Sequence, residues 1–161
     1  MVSVASTSAG SPAKIEPAGW RDLNDLRHIG QLCFPKDMWP LWDLIGILTL
    51  PNVLRRKAVL EGRMVGFIGV DLRRAQRKAW IATICVHPDY RRMGIASALL
   101  AYCEDQTTMP DIRLSVRSSN LSAIHLYRKF GYHNIEIWPA YYQDGEDAMV
   151  MGKRKQDNVF I

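Results

Sequence analysis

The segment VHPDYRRMGIASALL (residues 86–100) constrains the fold more than any other stretch of the chain. The residues before it, 80–86, are almost continuously apolar, as in a central strand that is covered on both faces. Small and apolar residues follow it at the spacing of an amphipathic helix. One stripe of that helix consists of Ile95, Leu99, Tyr102 and Cys103. The sequence therefore predicts a central strand that leads, through two arginines and a glycine, into a helix over residues 94–106.

The turn between this strand and this helix has the features of an anion site. The first four N–H groups of a helix have no partner inside the helix, and the peptide dipoles add about half a positive charge there. Such a site suits phosphate. Arg91 and Arg92 add charge, Gly94 lets a ligand approach the backbone, and no acidic residue caps the helix. The alternative is an ordinary strand–turn–helix with basic surface residues, because the chain contains neither GxxxxGK[ST] nor GxGxxG.

A second polar pair follows in SNLSAIHLYRKFG (residues 119–131). The segment predicts a helix with Ser119 or Asn120 as its N-cap and Gly131 at its C-terminal end. Asn120 and Tyr127, two turns apart, then place an amide and a phenol near the end of the preceding strand, DIRLSV. Each residue alone has a plainer interpretation, as a helix cap and as a buried tyrosine.

The rest of the chain supplies the other elements of a mixed fold. A first strand is predicted in AKIEPAG, a helix in WRDLNDLRHIGQLCF and a shorter helix from near Trp39. The stripe of the longer helix consists of Leu23, Leu26, Ile29 and Cys33. KAVLEGRMVGFIGVDL reads as two strands around a turn, and YHNIEIW and EDAMVMGKR as a closing strand pair. This order predicts an α/β or α+β sheet with helices packed on it. We expect one domain over residues 13–153, a flexible tail at 1–12 and a second tail at 154–161.

The two motifs together resemble the general N-acetyltransferase (GNAT) superfamily over roughly residues 15–153. VHPDYRRMGIASALL resembles its acetyl-CoA pyrophosphate motif, and SNLSAIHLYRKFGY its second cofactor segment. The resemblance implies a mixed, mostly antiparallel sheet of about seven strands, four flanking helices and a splayed central strand pair that admits acetyl-CoA, with CoA as product. It implies that strand backbone contacts the pantetheine arm, that helix amides hold the pyrophosphate and that Tyr127 lies near the thioester sulfur. The implied cofactor residues are Ile84, Cys85, Val86, Arg91, Arg92, Met93, Gly94, Ile95, Ala96, Ser97, Asn120 and Tyr127.

A narrower resemblance concerns the acceptor. CFP (residues 33–35) and YYQDGEDAMVM (141–151) resemble segments of the N-terminal α-amine acetyltransferases, including the ribosomal-protein alanine acetyltransferases. It implies direct attack of a primary amine on the thioester, with Tyr127 as the general acid. The implied acceptor residues are Phe34, Pro35, Tyr141 and Tyr142. We add the hypothesis that Trp80, with Trp39, Trp42 and Tyr142, lines an apolar acceptor pocket. The alternatives are core packing for Trp80 and hairpin packing for the two tyrosines.

The general base is where the sequence departs from the family pattern. Relatives commonly place Glu or His twelve residues before the tyrosine, where this chain has Ser115, or an acidic or tyrosyl residue where it has Trp80. Neither side chain is a useful base at neutral pH. One explanation is that the acceptor is an α-amine, whose pKa near 8 leaves roughly a tenth to a third of it neutral at pH 7–7.5. The other is that a different group serves, and the candidates are His87, His125, Glu146 and Tyr141.

Composition limits the remaining possibilities. The formal net charge of +5 suits an anionic partner, and equally a solvated basic surface. Cys33, Cys85 and Cys103 form no short-spaced pair, which argues against a disulfide framework or a zinc site, and Cys85 lies in an apolar run as a small core residue would. The four histidines show no metal-ligand pattern, so we expect no metal. With neither a secretory signal nor a stretch of about 18 apolar residues, we expect a cytoplasmic protein without membrane contact.

Three other functions stay open on the sequence alone. The acceptor could be a small-molecule amine such as a polyamine, an amino acid or a drug. The chain could also be a weakly catalytic acyl-CoA-binding regulatory domain, since both usual base positions are altered. A specific nucleic-acid partner has little support, because the arginines concentrate at the predicted cofactor turn and no aromatic RNA-binding signature is present. Both a monomer and a homodimer are compatible with the sequence.

Overall fold

The computed structural model describes residues 12–37 and 39–155. Most of the predicted N-terminal tail, residues 1–11, and the last six residues of the predicted C-terminal tail lie outside this part of the chain. The described elements are β1 (Lys14–Pro17), α1 (Leu23–Cys33), α2 (Leu41–Thr49), β2 (Val53–Leu60), β3 (Arg63–Arg73), β4 (Lys78–Val86), α3 (Ile95–Gln106), β5 (Asp111–Arg117), α4 (Leu121–Lys129), β6 (His133–Trp138) and β7 (Ala148–Arg154). Short 3₁₀ turns occupy Trp20–Asp22, Arg74–Gln76 and Pro88–Tyr90.

The strands form one seven-stranded sheet in the order β1-β2-β3-β4-β5-β7-β6. Every neighbouring pair is antiparallel except β4 and β5, which run parallel. The seven strands and four α-helices of the described residues confirm the predicted mixed, mostly antiparallel fold. Strand β7 inserts between β5 and β6, so the closing hairpin brings its loop to the same end of the sheet as the last residues of β5.

Two apolar clusters cover the two faces of the sheet. On one face Leu99 of α3 and Ile124 of α4 pack with Ile68 of β3 and Ile81 of β4. On the other face the α1 and α2 side chains pack against β3 and β4, and the members include Leu26, Ile29, Leu44, Ile47, Phe67 and Cys85. The predicted apolar stripe of α1 is therefore confirmed, as is the core position of Cys85, which is 5 % exposed.

Strands β4 and β5 separate along their length, as predicted. Their pairing covers only Lys78–Ile81 against Asp111–Leu114. The register between β3 and β4 also shifts at this level, and Ala82 has no counterpart on β3. A bulge of this kind bends a strand and increases its twist, which opens the sheet beyond it. The expectation that β4 is central is correct, but its expected cover on both faces is incomplete, because Ala82 is exposed at the bulge.

Element boundaries differ from the predicted ones in three places. Helix α2 begins at Leu41, because Pro40 is its N-cap, and β2 begins at Val53, four residues before the predicted start. The expected loose C-terminal segment is still part of the fold up to Lys155. Its Nζ donates hydrogen bonds to the carbonyl oxygens of Glu104 and Thr107 at 2.6 and 2.7 Å. Within residues 12–37 and 39–155 no helix is long and apolar enough to cross a membrane.

Candidate active site

The open edge of β4 is the first component of the site. The N–H of His87 donates to the carbonyl of Val65 at 2.8 Å, so in the antiparallel alternation Val86 and Ile84 are non-hydrogen-bonded positions opposite β3. Their backbone N–H and C=O groups consequently point away from β3, into the gap beside β5. The backbone of Cys85 pairs instead with Phe67 on β3. Of the three predicted strand residues, Ile84 and Val86 turn their backbone groups toward the gap, whereas the Cys85 backbone faces Phe67 on β3.

The turn after β4 is the second component, and it has the predicted form. Arg92 (φ +62°) and Gly94 (φ +73°) are both left-handed, and Gly94 is the N-cap of α3. The first intrahelical hydrogen bond runs from the Ala98 N–H to the Gly94 carbonyl at 3.0 Å. The amides of Ile95, Ala96 and Ser97 therefore precede the hydrogen-bonded part of the helix. With no acidic residue in the first turn, this end of α3 retains its positive potential.

These two components fit an acetyl-CoA molecule. Backbone groups of β4 that face the gap suit the amides of a pantetheine arm, and helix amides next to Arg91 and Arg92 suit a pyrophosphate. Met93 lies within the same turn, half-buried against the α3 side of the core. The fit rests on the strand edge and the helix end together, since either alone occurs in many proteins.

Helix α4 supplies the third component. Asn120 is the N-cap, as one of the two predicted alternatives, and its Oδ1 accepts a hydrogen bond from the Ala123 N–H at 3.3 Å. Tyr127 is 5 % exposed, and its ring meets the edge of the Tyr132 ring at 5.9 Å between centroids. Burial, and secondarily the neighbouring Tyr142, raise the pKa of Tyr127 well above its usual value of about 10. The phenol is thus held protonated, as a proton donor must be.

Two adjoining cavities lie on the side of β4 that carries α1 and α2. The smaller, of about 270 Å³, lies between α1 and α2 and is lined by Phe34 and Trp39, with Thr83 and Cys85 on β4. The larger, of about 910 Å³, is an open groove. Its lining includes Trp39, Trp42, Ala82, Tyr141, Tyr142 and Asp43. Five of the residues predicted for the acceptor side line these two cavities, namely Phe34, Trp39, Trp42, Tyr141 and Tyr142, whereas Pro35 and Trp80 are not among the lining residues of either.

Trp80 instead belongs to a row of stacked aromatic rings. It stacks on Trp138 with centroids 5.8 Å apart and an interplanar angle of 3°, while Arg73 lies 5.1 Å from its ring centre. Trp138 in turn contacts Tyr141 at 5.2 Å, and Tyr141 meets the edge of the Tyr142 ring at 5.1 Å. This placement favours the packing alternative for Trp80, which contacts the two tyrosines indirectly, through the ring of Trp138.

An ion cluster that sequence reasoning missed joins the loops that carry the residues predicted for the acceptor side. Arg117, the last residue of β5, makes two hydrogen bonds to Asp37, at 2.7 and 2.8 Å. It also binds Glu146 at 2.7 Å and Asp144 at 3.0 Å, and its Cζ lies 4.0 Å from the centre of the Tyr142 ring. We call these five residues the Arg117 cluster. In the sequence, this cluster appears only as an arginine at the end of a predicted strand and as acidic residues in two distant loops. The topology of the sheet brings these residues together.

The cluster also removes one candidate base. Glu146 accepts a hydrogen bond from the Ser119 N–H at 2.9 Å, and the Ser119 side chain, then Arg117, hold the pKa of the carboxyl below its usual range. A carboxylate stabilised in this way is a poor proton acceptor. Of the other candidates, His125 is exposed on α4 and Tyr141 is 55 % exposed. His87 Nδ1 accepts the Asp89 N–H at 3.1 Å, which leaves only Nε2 for proton transfer.

Ser115 lies on β5 beyond the last residue that pairs with β4. It is half-buried and, like Trp80, carries no basic group. Neither of the usual positions therefore supplies a base, as the sequence predicted.

Comparisons with known proteins agree with this geometry. The model of the Acetyltransferase (GNAT) family matches residues 23–132. An N-alpha-acetyltransferase of Sulfurisphaera tokodaii is 29% identical over 91% of this chain and 96% of its own length. An uncharacterized N-acetyltransferase of Methanocaldococcus jannaschii is 32% identical over 84% of this chain and 87% of its own. Among solved structures, the ribosomal-protein-S18-alanine N-acetyltransferase of Escherichia coli superimposes with a TM-score of 0.81 at 27% identity, over 92% of this chain and 99% of that one.

Proposed function

The chain belongs to the acetyltransferase (GNAT) family, and from this premise we propose that its acceptor is the N-terminal α-amine of a protein or peptide. The protein is an acetyl-CoA-dependent N-acetyltransferase. Acetyl-CoA supplies the acetyl group already activated as a thioester. What the family alone leaves open is the amine that receives it, and which residues of this chain carry out the transfer.

The observation that carries the proposal is that neither of the usual base positions holds a basic side chain. Ser115 and Trp80 occupy the usual base positions, and Glu146 is held as an ion-paired carboxylate. An α-amine with a pKa near 8 needs little help, because roughly a tenth to a third is neutral at pH 7–7.5. A lysine amine near 10.4 is neutral only to about one part in a thousand. The site therefore suits an α-amine, which is partly neutral and nucleophilic without a base. The relative from Sulfurisphaera tokodaii is named for that class of acceptor.

The cofactor would be held by the strand edge and the helix start. Backbone groups of Ile84 and Val86 would pair with the pantetheine arm, and Asn120 would steady it from α4. Arg91, Arg92 and the amides up to Ser97 would bind the pyrophosphate. These contacts position the thioester without contributing to its chemistry.

Two groups of this chain would act at the reacting atoms. A backbone N–H of β4 near Val86 would donate to the thioester carbonyl oxygen and stabilise the negative charge that develops there. The neutral amine attacks the carbonyl carbon directly, a C–N bond forms and the C–S bond breaks. Tyr127 would give its phenolic proton to the departing sulfur, and the proton lost by the amine passes to water. The raised pKa keeps Tyr127 protonated, so that its hydroxyl can donate a hydrogen bond to the sulfur as the C–S bond breaks.

The acceptor would approach along the groove between α2 and the β6–β7 loop. Phe34, Trp39 and Tyr142 line the two adjoining cavities next to β4. The Arg117 cluster fixes Asp37, on the loop after α1, to Glu146, on the loop before β7. Both walls of the groove are thus held by one guanidinium, which suits an extended chain that must present its first amine at a defined place.

A library assay tests the acceptor class. The purified protein is incubated with acetyl-CoA and short peptides that vary at their first two residues, and in parallel with a panel of polyamines, amino acids and amine drugs, while free thiol release is followed. We expect turnover with peptides and a preference among their first residues. Turnover with the small amines alone would contradict the proposal, and CoA binding without turnover in either set would favour a non-catalytic acyl-CoA binder.

A further inference from the structure

Two cysteines that the transfer reaction does not use lie close together inside the site. Cys33 ends α1 and Cys85 lies on β4, 52 positions later. The two side chains belong to the same apolar cluster, and the Cys33 sulfur lies 3.1 Å from the carbonyl oxygen of Val86, the residue next to Cys85. The fold therefore makes a dithiol from residues whose spacing in sequence gave no such signal.

The Cys33 sulfur also lies at the open edge of β4. Its S–H donates to the Val86 carbonyl oxygen at 3.1 Å, one of the backbone groups that point into the gap beside β5. The positive charge of Arg91, in the turn before α3, also acts on Cys33. Cys33 is only half-buried, so small solutes can reach it, whereas Cys85 is buried behind it.

The surroundings of Cys33 favour its thiolate. The neighbouring Cys85 thiol and then the Arg91 guanidinium outweigh burial and lower the pKa of Cys33 below its usual value. Cys33 is therefore ionised more readily near neutral pH than an ordinary cysteine. The third cysteine provides the contrast, since burial raises the pKa of Cys103 to about 12. A thiolate that is accessible and adjoins a second thiol has the arrangement of an oxidisable cysteine with its resolving partner.

We propose that Cys33 and Cys85 form an oxidation-sensitive dithiol, which hydroperoxides convert to an intramolecular disulfide that shuts down acetyl transfer. The Cys33 thiolate attacks the peroxide, the O–O bond breaks, and Cys33 becomes a sulfenic acid with loss of water or an alcohol. The Cys85 thiol then attacks the Cys33 sulfur, and its proton leaves with the hydroxyl as a second water. Two thiols are oxidised and one peroxide is reduced, so the step balances.

The local electrostatics favours both steps of this oxidation, the attack of Cys33 on the peroxide and the attack of Cys85 on the oxidised sulfur. The buried Cys85 keeps its proton while Cys33 is charged, because the Cys33 hydrogen bond and charge, together with burial, raise the pKa of Cys85. Oxidation of Cys33 to the neutral sulfenic acid removes that charge, so Cys85 becomes more acidic when it must react. The disulfide would fasten the end of α1 to β4 and narrow the cavity between Phe34 and Thr83. It would also draw the Cys33 sulfur away from the Val86 carbonyl.

The expected effect on turnover rests on the proposed function, but the dithiol can be tested without it. Reduced full-length protein is exposed to hydrogen peroxide at pH 7, and its intact mass and Cys-containing peptides are measured with and without CoA. We expect the loss of two hydrogen atoms, a Cys33–Cys85 cross-linked peptide and slower oxidation with CoA bound, because the pantetheine arm would occupy the strand edge beside Cys33. Acetylation by the oxidised protein should fall at least about fivefold, as for an ordinary coupling between sites, and dithiothreitol should restore it.

Single variants assign the roles. Cys33→Ser should abolish the cross-link and leave Cys85 reduced, Cys85→Ala should stop the oxidation of Cys33 at the sulfenic or sulfinic acid, and Cys103→Ala should form the disulfide as the unaltered protein does. Absence of the cross-link, a cross-link that involves Cys103, or disulfides only between two molecules would overturn the proposal. If the reduced protein acetylates nothing but the cross-link still forms and CoA slows it, the proposed acceptor is wrong and the dithiol stands.

Discussion

The guanidinium of Arg117 lies against the ring of Tyr142, with its Cζ 4.0 Å from the ring centre, while its nitrogens bind three carboxylates. Only 16% of the Arg117 side chain is exposed, so these bonds operate where water screens them less than at an open surface. One residue of β5 thus joins the loop after α1 to the loop between β6 and β7. The shape of the proposed acceptor groove depends on that connection.

Arg117→Ala should lower kcat/KM for the peptide acceptor by about 10- to 100-fold, because small displacements of positioning groups have effects of this size. The affinity for CoA should stay nearly constant, since the hydrogen bonds described for Arg117 go to Asp37, Asp144 and Glu146, which lie outside the β4 edge and the α3 turn. Arg113→Ala is the matched control, because Arg113 lies on the same strand and makes a two-bond contact with Asp111 farther from the groove. Equal losses in the two variants, or a parallel loss of CoA binding, would show that Arg117 supports only the fold.

Tyr127→Phe should lower kcat by about 10²- to 10⁴-fold if the phenol protonates the departing sulfur. Tyr132→Phe is the control, because Tyr132 is equally buried and contacts the Tyr127 ring. Steady-state kinetics should leave the Tyr132 variant close to the unaltered protein. A change of less than about threefold in the Tyr127 variant would fall below the range for general acids and mean that the phenol only packs.

Arg92→Glu combined with Gly94→Glu should weaken CoA binding by roughly 100-fold, since hydrogen bonds to charged groups contribute about 1.5–3 kcal/mol each. The exchange places two carboxylates at the positive end of α3 and a side chain on a left-handed glycine. Arg74→Glu, in the exposed turn between β3 and β4, controls for the change in net charge. Calorimetry that gave the same CoA affinity for all three proteins would contradict the phosphate-turn assignment.

The dependence of kcat/KM on pH should reflect the acceptor amine. Activity should rise as the amine loses its proton and level off above about pH 8, the ordinary α-amine pKa. No falling limb is expected up to about pH 10, because burial raises the pKa of Tyr127 and the donor stays protonated throughout. A rise that continues toward pH 10 would indicate a lysine amine, and a fall below pH 9 would mean that Tyr127 is not the acid.

The order of elements could be predicted from the sequence because each depends on local patterns. The alternation of apolar and polar residues in DIRLSV, the apolar stripe of α3 and the N-cap at Asn120 each depend on residues that are close in sequence. The resemblance of two motifs then gave the splayed pair and the turn at Gly94, both of which the structure contains.

Features that depend on distant residues could not be predicted in this way. Arg117 meets Asp37 across 80 positions, and no local pattern encodes such a pair. The contact of Cys33 with Cys85 and the bulge at Ala82 likewise follow from how β3, β4 and α1 pack together. Trp80 was assigned to a pocket because it is large and aromatic, but its stacking on Trp138 depends on where β6 ends.

The most direct measurement uses one peptide that carries both a free N-terminal α-amine and an internal lysine. The protein is incubated with this peptide and acetyl-CoA near pH 7.2, and the acetylated position is located by fragment mass spectrometry. The account predicts acetylation at the α-amine, and none at the lysine until the α-amine is consumed. Acetylation at the lysine first, or turnover that persists when the α-amine is chemically blocked, would contradict it.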